Sequence, residues 1–284
     1  MKLTLSAYSL YGLIRDKRAA DLTELPKFAA ELGFEGFEVV ASAEDALKLV
    51  KPVRQACDAA GLTVTTVCVG ADFLANDVGE QVETLHKAVD ACAILGAPVL
   101  RHDATQGWPK DSRGIKDFKH ALPRLSEGYR AVTEYAAGLG VKTSVENHGF
   151  FCQDSDRVEA LIDVVDHPNF GALVDIGNFM CADEDPIEAV SRLAPLAVHA
   201  HAKDFHFKRG GECPGHGWFR TRGGNWLRGA IAGHGVLDIP QLLGILSRAG
   251  YDGWLTVEFE GIEDCMLGVR DSKKNLEAII GSLA

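Results

Sequence analysis

Residues 239–260, IPQLLGILSRAGYDGWLTVEFE, contain one complete helix-to-strand unit of this 284-residue chain. Ile239, Leu242, Leu243 and Leu246 recur at the spacing that places apolar side chains on one face of a helix. Gly250 then ends the helical pattern, and a short run of apolar and β-branched residues follows, which is typical of a buried strand. The stretch therefore predicts a helix that leads directly into a strand of the core.

The same alternation of strand and helix patterns runs through the whole sequence. Strand-like runs occur at residues 3–9, 34–40, 62–70, 97–104, 141–147, 169–178, 196–204 and 253–260. Helical patterns separate them, and a last one covers residues 271–284. Eight such units in about 280 residues predict an α/β fold, a single-domain (β/α)8 TIM barrel that spans residues 1–284. A doubly wound open sheet is the alternative, but it usually has fewer repeats and often a glycine-rich phosphate-binding turn after its first strand, which this sequence lacks.

Composition narrows the class of partner. Hydrophobic residues make up 46% and charged residues 24%, which is typical of a globular protein with a sizeable core. The net charge of -11 argues against nucleic acid or an anionic membrane as partner, because both require a cationic surface. Seven scattered cysteines without a CxxC pair predict neither a disulfide framework nor a zinc ribbon, and the first residues lack the features of a signal peptide. We therefore expect a cytoplasmic protein with a small-molecule partner.

One segment interrupts the alternation. Residues 207–235, FKRGGECPGHGWFRTRGGNWLRGAIAGHG, are too long for an ordinary loop after the seventh strand and too rich in glycine for a helix. The segment is basic in an acidic protein, and it includes Arg220, Arg222 and Trp218. Arginine binds carboxylate or phosphate in a bidentate manner, so Arg220 and Arg222 predict contacts with an acidic or phosphorylated substrate. Trp218 predicts stacking on a sugar ring. A dimer contact or a solvated flap is the alternative.

Ionisable residues recur where the later strands end, which is where barrel enzymes place their active sites. Glu146, Asp175, His201 and Glu258 come from four consecutive strands. Three carboxylates around one point repel each other unless a cation compensates them. The set therefore predicts one divalent metal ion, Mn2+ first, with Co2+, Mg2+ or Zn2+ as alternatives. His199 projects from the same strand face as His201, so alternation alone does not choose between the two.

Four motifs carry a resemblance to a known family. They are VENHG at 145–149, VDIGN at 174–178, HAHAKD at 199–204 and residues 233–261, GHGVLDIPQLLGILSRAGYDGWLTVEFEG. They resemble the xylose-isomerase-like TIM-barrel superfamily, which includes the sugar phosphate isomerase/epimerase family and the AP endonuclease family 2 fold. The similarity is specific from about residue 140 to residue 261, and the first half agrees mainly in the rhythm of its elements.

The resemblance implies a single divalent metal held by Glu146, Asp175, His201 and Glu258, with the two glutamates also acting as the acid/base pair. It implies a sugar isomerase or epimerase that abstracts a proton next to a metal-bound carbonyl. A dehydratase or lyase, similar to inosose dehydratase or acting on a keto-glycoside, is the first alternative. A non-catalytic barrel that binds a sugar is the second. Barrels of this family often form homodimers or homotetramers.

The chain departs from the family pattern at four positions that contact substrate in related ketose epimerases. Asn178 replaces a histidine, Cys152 a glutamate, Phe207 an arginine and His234 a glutamate. These changes weaken the assignment of a free ketose, and Asn178 also removes a ligand that a three-zinc endonuclease needs. The predicted substrate contacts are His102, Asn178, Lys203, His234, Arg220, Arg222 and Trp218. The predicted supporting residues are Asn147, His148, His199, Asp204 and His206. For His102 a structural role is an equal alternative, and Tyr8 and Tyr11 either line the pocket or close the barrel.

Overall fold

A computed structural model describes residues 1–283 as a closed barrel of eight parallel strands. The barrel strands are β1 (Lys2–Ser6), β2 (Gly36–Val40), β3 (Thr63–Val69), β4 (Val99–His102), β5 (Lys142–Glu146), β6 (Phe170–Asp175), β7 (Ala197–Ala202) and β11 (Trp254–Val257). Each pairs with its neighbour in the chain order, and β11 closes the ring on β1, with Leu255 opposite Leu3. The prediction of a (β/α)8 TIM barrel is confirmed.

Helices surround the barrel. They are α1 (Tyr11–Arg15), α2 (Leu25–Glu31), α3 (Ala43–Lys48), α4 (Val50–Ala60), α5 (Val78–Leu95), α6 (Phe118–Gly138), α7 (Ser155–Val165), α8 (Pro186–Leu193), α9 (Ile239–Arg248) and α10 (Cys265–Ser282). Local signals fix their ends: the Asp77 side chain accepts the Glu80 N–H at the start of α5, and Gly96 takes a left-handed conformation at its end. Among residues 1–283, no helix is both long and apolar enough to cross a lipid bilayer.

Two helices differ from the sequence prediction. The helical pattern at residues 44–61 folds as α3 and α4, which meet at Leu49. Pro52 explains the break, because it has no N–H to donate to the carbonyl of residue 48 in a continuous helix. The last helix begins at Cys265, before the predicted start at residue 271, and the Asp264 carboxylate accepts N–H groups of its first turn.

Polar side chains fill the lower layers of the barrel interior. Thr4 and Thr65 share a hydrogen bond of 3.0 Å across the barrel. The next layer holds His199, whose Nε2 lies 3.0 Å from Thr66 Oγ1 and 2.7 Å from Thr256 Oγ1. Apolar side chains of the strands point outward and pack against the helices, which is where the main hydrophobic core lies. The barrel mouth above His199 therefore rests on a satisfied polar layer.

The basic segment after β7 forms a small antiparallel sheet, called here the insertion sheet. It consists of β8 (Asp204–Lys208), β9 (Phe219–Arg220) and β10 (Trp226–Ala230), with β10 in the centre. The Asp204 carboxylate accepts backbone N–H groups of Gly233 and Gly235 at 2.9 and 2.8 Å, which fixes the return of the chain to α9. Gly229 lies so close to the Glu260 carbonyl that a side chain would collide with it. The insertion sheet is therefore packed tightly against the loop that follows β11.

Candidate metal centre and substrate pocket

Four side chains from adjacent strands converge at the C-terminal mouth of the barrel. Glu146 ends β5, Asp175 ends β6, His201 lies in β7 and Glu258 directly follows β11. Their ligand atoms all lie within 4.8 Å of one another. His201 Nδ1 is 3.6 Å from Glu258 Oε2 and 3.9 Å from both Glu146 Oε1 and Asp175 Oδ2. The pairing of parallel strands brings them together, since Asp175 stands directly opposite His201.

Three atoms of this group are buried without a hydrogen bond among residues 1–283: His201 Nδ1, Asp175 Oδ2 and Glu258 Oε2. The Lys203 ammonium compensates the last of them from 2.7 Å. Unsatisfied buried polar atoms are costly, and the first two, which point at one space, form the arrangement a cation would satisfy. Three carboxylates and one imidazole are ligands suited to Mn2+, Co2+, Mg2+ or Zn2+. The residues present therefore fit a divalent metal ion.

Glu38 on β2 fixes the orientation of the His201 ring. Its Oε2 lies 2.8 Å from His201 Nε2, and the carboxylate is completely buried. Burial disfavours the charged imidazolium, but Glu38 and other neighbours outweigh it and raise the pKa of His201 well above its usual value. A carboxylate on the far nitrogen is the usual support of a metal-binding histidine, and it leaves Nδ1 free for the ion. The sequence analysis does not select Glu38.

Glu146 is held on both oxygens. Arg101 Nε lies 2.6 Å from Oε2, and Asn178 Nδ2 donates to Oε1 at 2.9 Å. The same guanidinium contacts Asp103 at 2.8 Å, and Asp103 accepts from His148 Nδ1 at 2.8 Å. Burial opposes the charge of Asp103, but Arg101, His148 and His102 together outweigh it and lower the pKa of this carboxyl to about 2. Arg101, which the sequence analysis did not select, compensates both carboxylates.

Lys203 compensates the other side of the mouth. Its Nζ lies 2.7 Å from Glu258 Oε2, 3.1 Å from Glu260 Oε1 and 3.2 Å from Asn178 Oδ1. Burial opposes both charges. Lys203 and His201 nevertheless lower the pKa of Glu258 well below its usual value. The surrounding carboxylates, Glu258 first, raise the pKa of Lys203 well above its usual value. Each of the two glutamates thus has its own buried cation.

Hydrogen bonds hold both the main chain and the Oδ1 atom of Asp175. The Asn147 side chain donates to the Asp175 carbonyl at 2.9 Å and accepts the Asp175 N–H at 3.0 Å. Asp175 Oδ1 accepts the N–H groups of Gly177 and Asn178 at 2.8 and 2.9 Å. Burial raises the pKa of this carboxyl to about 6, and Glu146 and Glu258 add to the effect against Lys203. Asn147 thereby supports the site, as the sequence analysis expects.

Three of the four side chains line a pocket of about 290 Å³. Its lining includes Glu146, His201 and Glu258, the two compensating cations Arg101 and Lys203, and Tyr8 and His148 at the rim. Of the predicted substrate contacts, Lys203 lines this pocket and Asn178 lies beside it, bound to Glu146 and Lys203. Asn178 therefore positions the catalytic candidates, whereas the sequence analysis expects it to contact substrate.

His102 points away from the mouth. It is buried between β4 and α6, its ring stacks on Tyr129 at 4.1 Å, and Phe73 contacts it edge-on. Neighbouring residues of a strand face opposite sides, so Arg101 takes the inward position and His102 the outward one. The expectation that His102 touches substrate is corrected here to its structural alternative. His199 lies one layer below His201, bound to two threonines, as expected.

The basic residues of the insertion sheet are engaged locally. Arg222 forms an ion pair with Asp154, with Nη1 2.6 Å from Oδ2. Arg220 stacks on Trp226 at 3.7 Å and donates to the Gly224 carbonyl. Trp218 stacks under Arg228 at 5.2 Å. The structure therefore does not bring Arg220, Arg222 or Trp218 to the pocket, because each contacts a neighbouring group in or beside the insertion sheet.

The remaining predicted residues form no hydrogen bond or ion pair with the four converging side chains within residues 1–283. Asp204 organises the end of the insertion through backbone N–H groups and contacts none of the four ligands. His206 lies half-exposed in β8 opposite Arg228, and His234 is exposed in the loop before α9. His148 supports Glu146 indirectly, through Asp103 and Arg101.

Comparison with known proteins finds similar chains that are named as dehydratases and epimerases. The first relatives include the inosose dehydratase of Bacillus thuringiensis strain Al Hakam, 24% identical over 185 residues, with 64% of this chain and 56% of that protein covered. The solved 3-keto-D-glucoside 4-epimerase of E. coli has a TM-score of 0.69 at 19% identity, with 90% of this chain and 94% of that chain covered.

A magnesium complex from Mycobacterium smegmatis, described as a xylose isomerase-like TIM barrel protein, has a TM-score of 0.71 at 17% identity and covers 93% of this chain and 88% of its own. Residues 26–281 match the family described as xylose isomerase-like TIM barrel. That match includes all four converging side chains and nearly the whole barrel. The chain therefore belongs to the xylose isomerase-like TIM barrel family.

Proposed function

We propose that this protein is a divalent-metal-dependent enzyme that removes a proton from the carbon next to a carbonyl of a neutral sugar or sugar derivative and returns it. The product is an isomer or an epimer. One observation supports this most strongly. Glu146 and Glu258 converge with Asp175 and His201 in one buried pocket, and each glutamate has its own cation. Two compensated carboxylates around a cation site are suited to proton transfer at carbon.

The residues divide the work as follows. Glu146, Asp175, His201 and Glu258 would hold a divalent ion, which would polarise the substrate carbonyl and so make the adjacent C–H bond more acidic. Glu146 or Glu258 accepts the proton, and the electron pair of the broken C–H bond moves toward the carbonyl oxygen. If the same carboxylic acid returns the proton to the former carbonyl carbon, and the proton of the adjacent hydroxyl moves to the former carbonyl oxygen, aldose and ketose interconvert. If the opposite glutamate carries a proton and donates it to the other face, the carbon is epimerised.

Charge in and around the pocket supports a neutral substrate. Arg101 and Lys203 already neutralise carboxylates of the site, and Arg222 is paired with Asp154. No further lysine or arginine lines the pocket among residues 1–283. A phosphate or carboxylate would therefore meet three or more carboxylates without a free lysine or arginine to bind it.

Elimination of water is the second candidate reaction, because the first relatives are named inosose dehydratases. It begins with the same proton abstraction, but a hydroxyl then leaves as water and needs a proton donor. His102, His206 and His234 do not line the pocket, whereas His148 and Tyr8 do and are placed to donate that proton.

Two finer assignments belong to this proposal. Mn2+ remains the first choice of ion on the basis of the ligand types, and the magnesium complex of the solved neighbour supports Mg2+ as the closest alternative. A cytoplasmic location is proposed because all seven cysteines are free thiols and five of them are buried.

Proton exchange in D2O tests the proposed reaction. The metal-loaded protein is incubated with a panel of neutral keto sugars and inososes, and deuterium at carbon is followed by NMR and mass spectrometry. We expect deuterium in an isomeric product, and loss of exchange when the metal is removed with EDTA. Loss of water with new ultraviolet absorbance of an unsaturated ketone would instead establish the dehydratase. Equal exchange in the EDTA-treated protein would contradict both.

A further inference from the structure

A second cavity adjoins the pocket and plays no part in the proton transfer. This groove has a volume of about 590 Å³, and it shares Tyr8 and Glu260 with the pocket. The pocket alone, at about 290 Å³, is at the lower end of the range of about 300–1,000 Å³ that is usual for small-molecule sites. The two cavities together exceed what one sugar ring needs.

Three parts of the chain build the walls of the groove. The segment after β1 contributes Tyr8 and Tyr11, the loop after β11 contributes Ile262, and the insertion sheet contributes Phe219. Tyr8, Ile262 and Phe219 have exposed fractions of 46%, 61% and 37%. Exposed aromatic rings on the wall of a cavity offer flat faces to the C–H faces of a sugar ring.

Charge around the groove restricts what it can bind. Its lining has four carboxylates, Asp16, Glu260, Glu263 and Asp264, and a single arginine, Arg15, which is paired with Asp16 at 3.2 Å. Glu263 Oε2 is buried without a hydrogen-bond partner within residues 1–283. Such carboxylates accept hydrogen bonds from hydroxyl groups and repel phosphate or carboxylate. The lining thus fits a neutral, hydroxyl-rich group.

We propose that the groove is a second subsite, which binds the second sugar ring of a neutral glycoside while the first ring occupies the pocket. The inference rests on the proposed function for the first ring only. Tyr8 and Glu260 border both cavities, so the glycosidic oxygen lies between them. The insertion sheet, through Phe219, is then the element that selects two-ring over one-ring substrates.

Binding without turnover tests the subsite. Calorimetry on the Mn2+-loaded protein compares cellobiose, maltose and trehalose with the single-ring methyl α- and β-D-glucosides. At least one disaccharide is expected to bind about tenfold more tightly than the methyl glucosides, which is about 1.4 kcal/mol. Phe219→Ala and Ile262→Ala should each reduce this preference by about threefold to tenfold. They lie in different segments of the chain, the insertion sheet and the loop after β11, so a local packing defect in one does not decide the result.

Val236→Ala is the matched control. Val236 directly follows the insertion, has an exposed fraction of 56%, close to the 61% of Ile262, and does not line the groove. Its preference should equal that of the wild type. Equal affinity for one-ring and two-ring sugars, or an equal loss in all three variants, would overturn the subsite even if the metal-dependent exchange is observed. A preserved preference without any exchange would overturn the proposed reaction and leave the subsite supported.

Discussion

The barrel mouth and the insertion sheet are both rich in charge, but their charges behave differently. At the mouth, Glu146, Asp175 and Glu258 point at one space and leave buried atoms unsatisfied around it. In the insertion sheet, Arg220 and Arg222 find partners within the protein and contribute nothing to the pocket. Strands of a barrel fix the direction of each side chain, whereas a loop lets long side chains reach the nearest partner.

The comparison predicts that the same chemical change has very different effects in the two regions. Glu258→Gln keeps the shape of the side chain but removes its charge and basicity, so the rate of proton exchange should fall by about 10²–10⁴-fold. Glu212→Gln, in the insertion, removes a carboxylate that pairs with Lys208 at the exposed surface and should leave the rate unchanged. Deuterium exchange in the presence of saturating Mn2+ measures both. Comparable rates in the two variants would contradict the assignment of Glu258.

The outward position of His102 can be separated from a role at the mouth by pH. Burial lowers the pKa of His102 to about 4, whereas an exposed histidine titrates near 6.5. The unfolded chain therefore binds the proton first, and the folded state loses up to about 3 kcal/mol of stability as the pH falls from about 6.5 to about 4. In His102→Phe this contribution is absent, so the stability gap to the wild type should narrow on acidification.

Urea unfolding at a series of pH values between about 7 and about 4 measures that gap. The phenylalanine ring can keep the stacking on Tyr129, so the variant is expected to fold. Its KM should stay close to that of the wild type. A difference in stability that does not change with pH, together with a large rise in KM, would contradict the outward position and indicate that His102 contacts substrate.

The metal centre should depend on a residue that does not touch the ion. Glu38→Gln weakens the hold on His201 Nε2, so the affinity for Mn2+ should fall about 10–100-fold, the usual effect of losing such a support. Electron paramagnetic resonance of free Mn2+ measures the affinity directly. Glu35→Gln, an exposed change close to the same strand, is the control and should bind Mn2+ as the wild type does. Unchanged affinity in Glu38→Gln would show that His201 is not a ligand.

The smallest effect is expected in the insertion sheet. Arg222→Ala removes a half-exposed ion pair with Asp154, which costs about 1 kcal/mol or less. With a neutral sugar, kcat/KM should change by no more than about twofold. Thermal unfolding and steady-state kinetics check the two parts of this expectation. A large rise in KM would mean that Arg222 leaves Asp154 to bind substrate.

The sequence was sufficient for the barrel and for the four converging side chains for the same physical reason. Each of Glu146, Asp175, His201 and Glu258 follows an apolar run, so its place at a strand end can be read directly. Strand β4 shows the limit. Both faces of a barrel strand are buried, so VLRH does not reveal whether Arg101 or His102 faces inward. The prediction was shifted by one residue along the strand, so it assigned the inward position to His102 instead of Arg101.

The partners of the basic residues could not be predicted, because they depend on distant parts of the chain. Asp154 precedes α7 and meets Arg222 only after the insertion folds back over the barrel. Glu38 and His201 are equally remote, 163 residues apart, and their contact exists only across the barrel interior. Local pattern determines elements and their ends, whereas pairing of long polar side chains is set by tertiary structure.

The contact between Glu38 and His201 also links the ion to the order of folding. All four ligands come from β5, β6, β7 and β11, so a chain that has assembled only its later half already carries them. Glu38 arrives with β2, which reaches His201 only when β1 pairs with β11 and the ring shuts. Under the proposed metal binding, full affinity for the ion would therefore require the closed ring, in which Glu38 of β2 reaches His201 of β7.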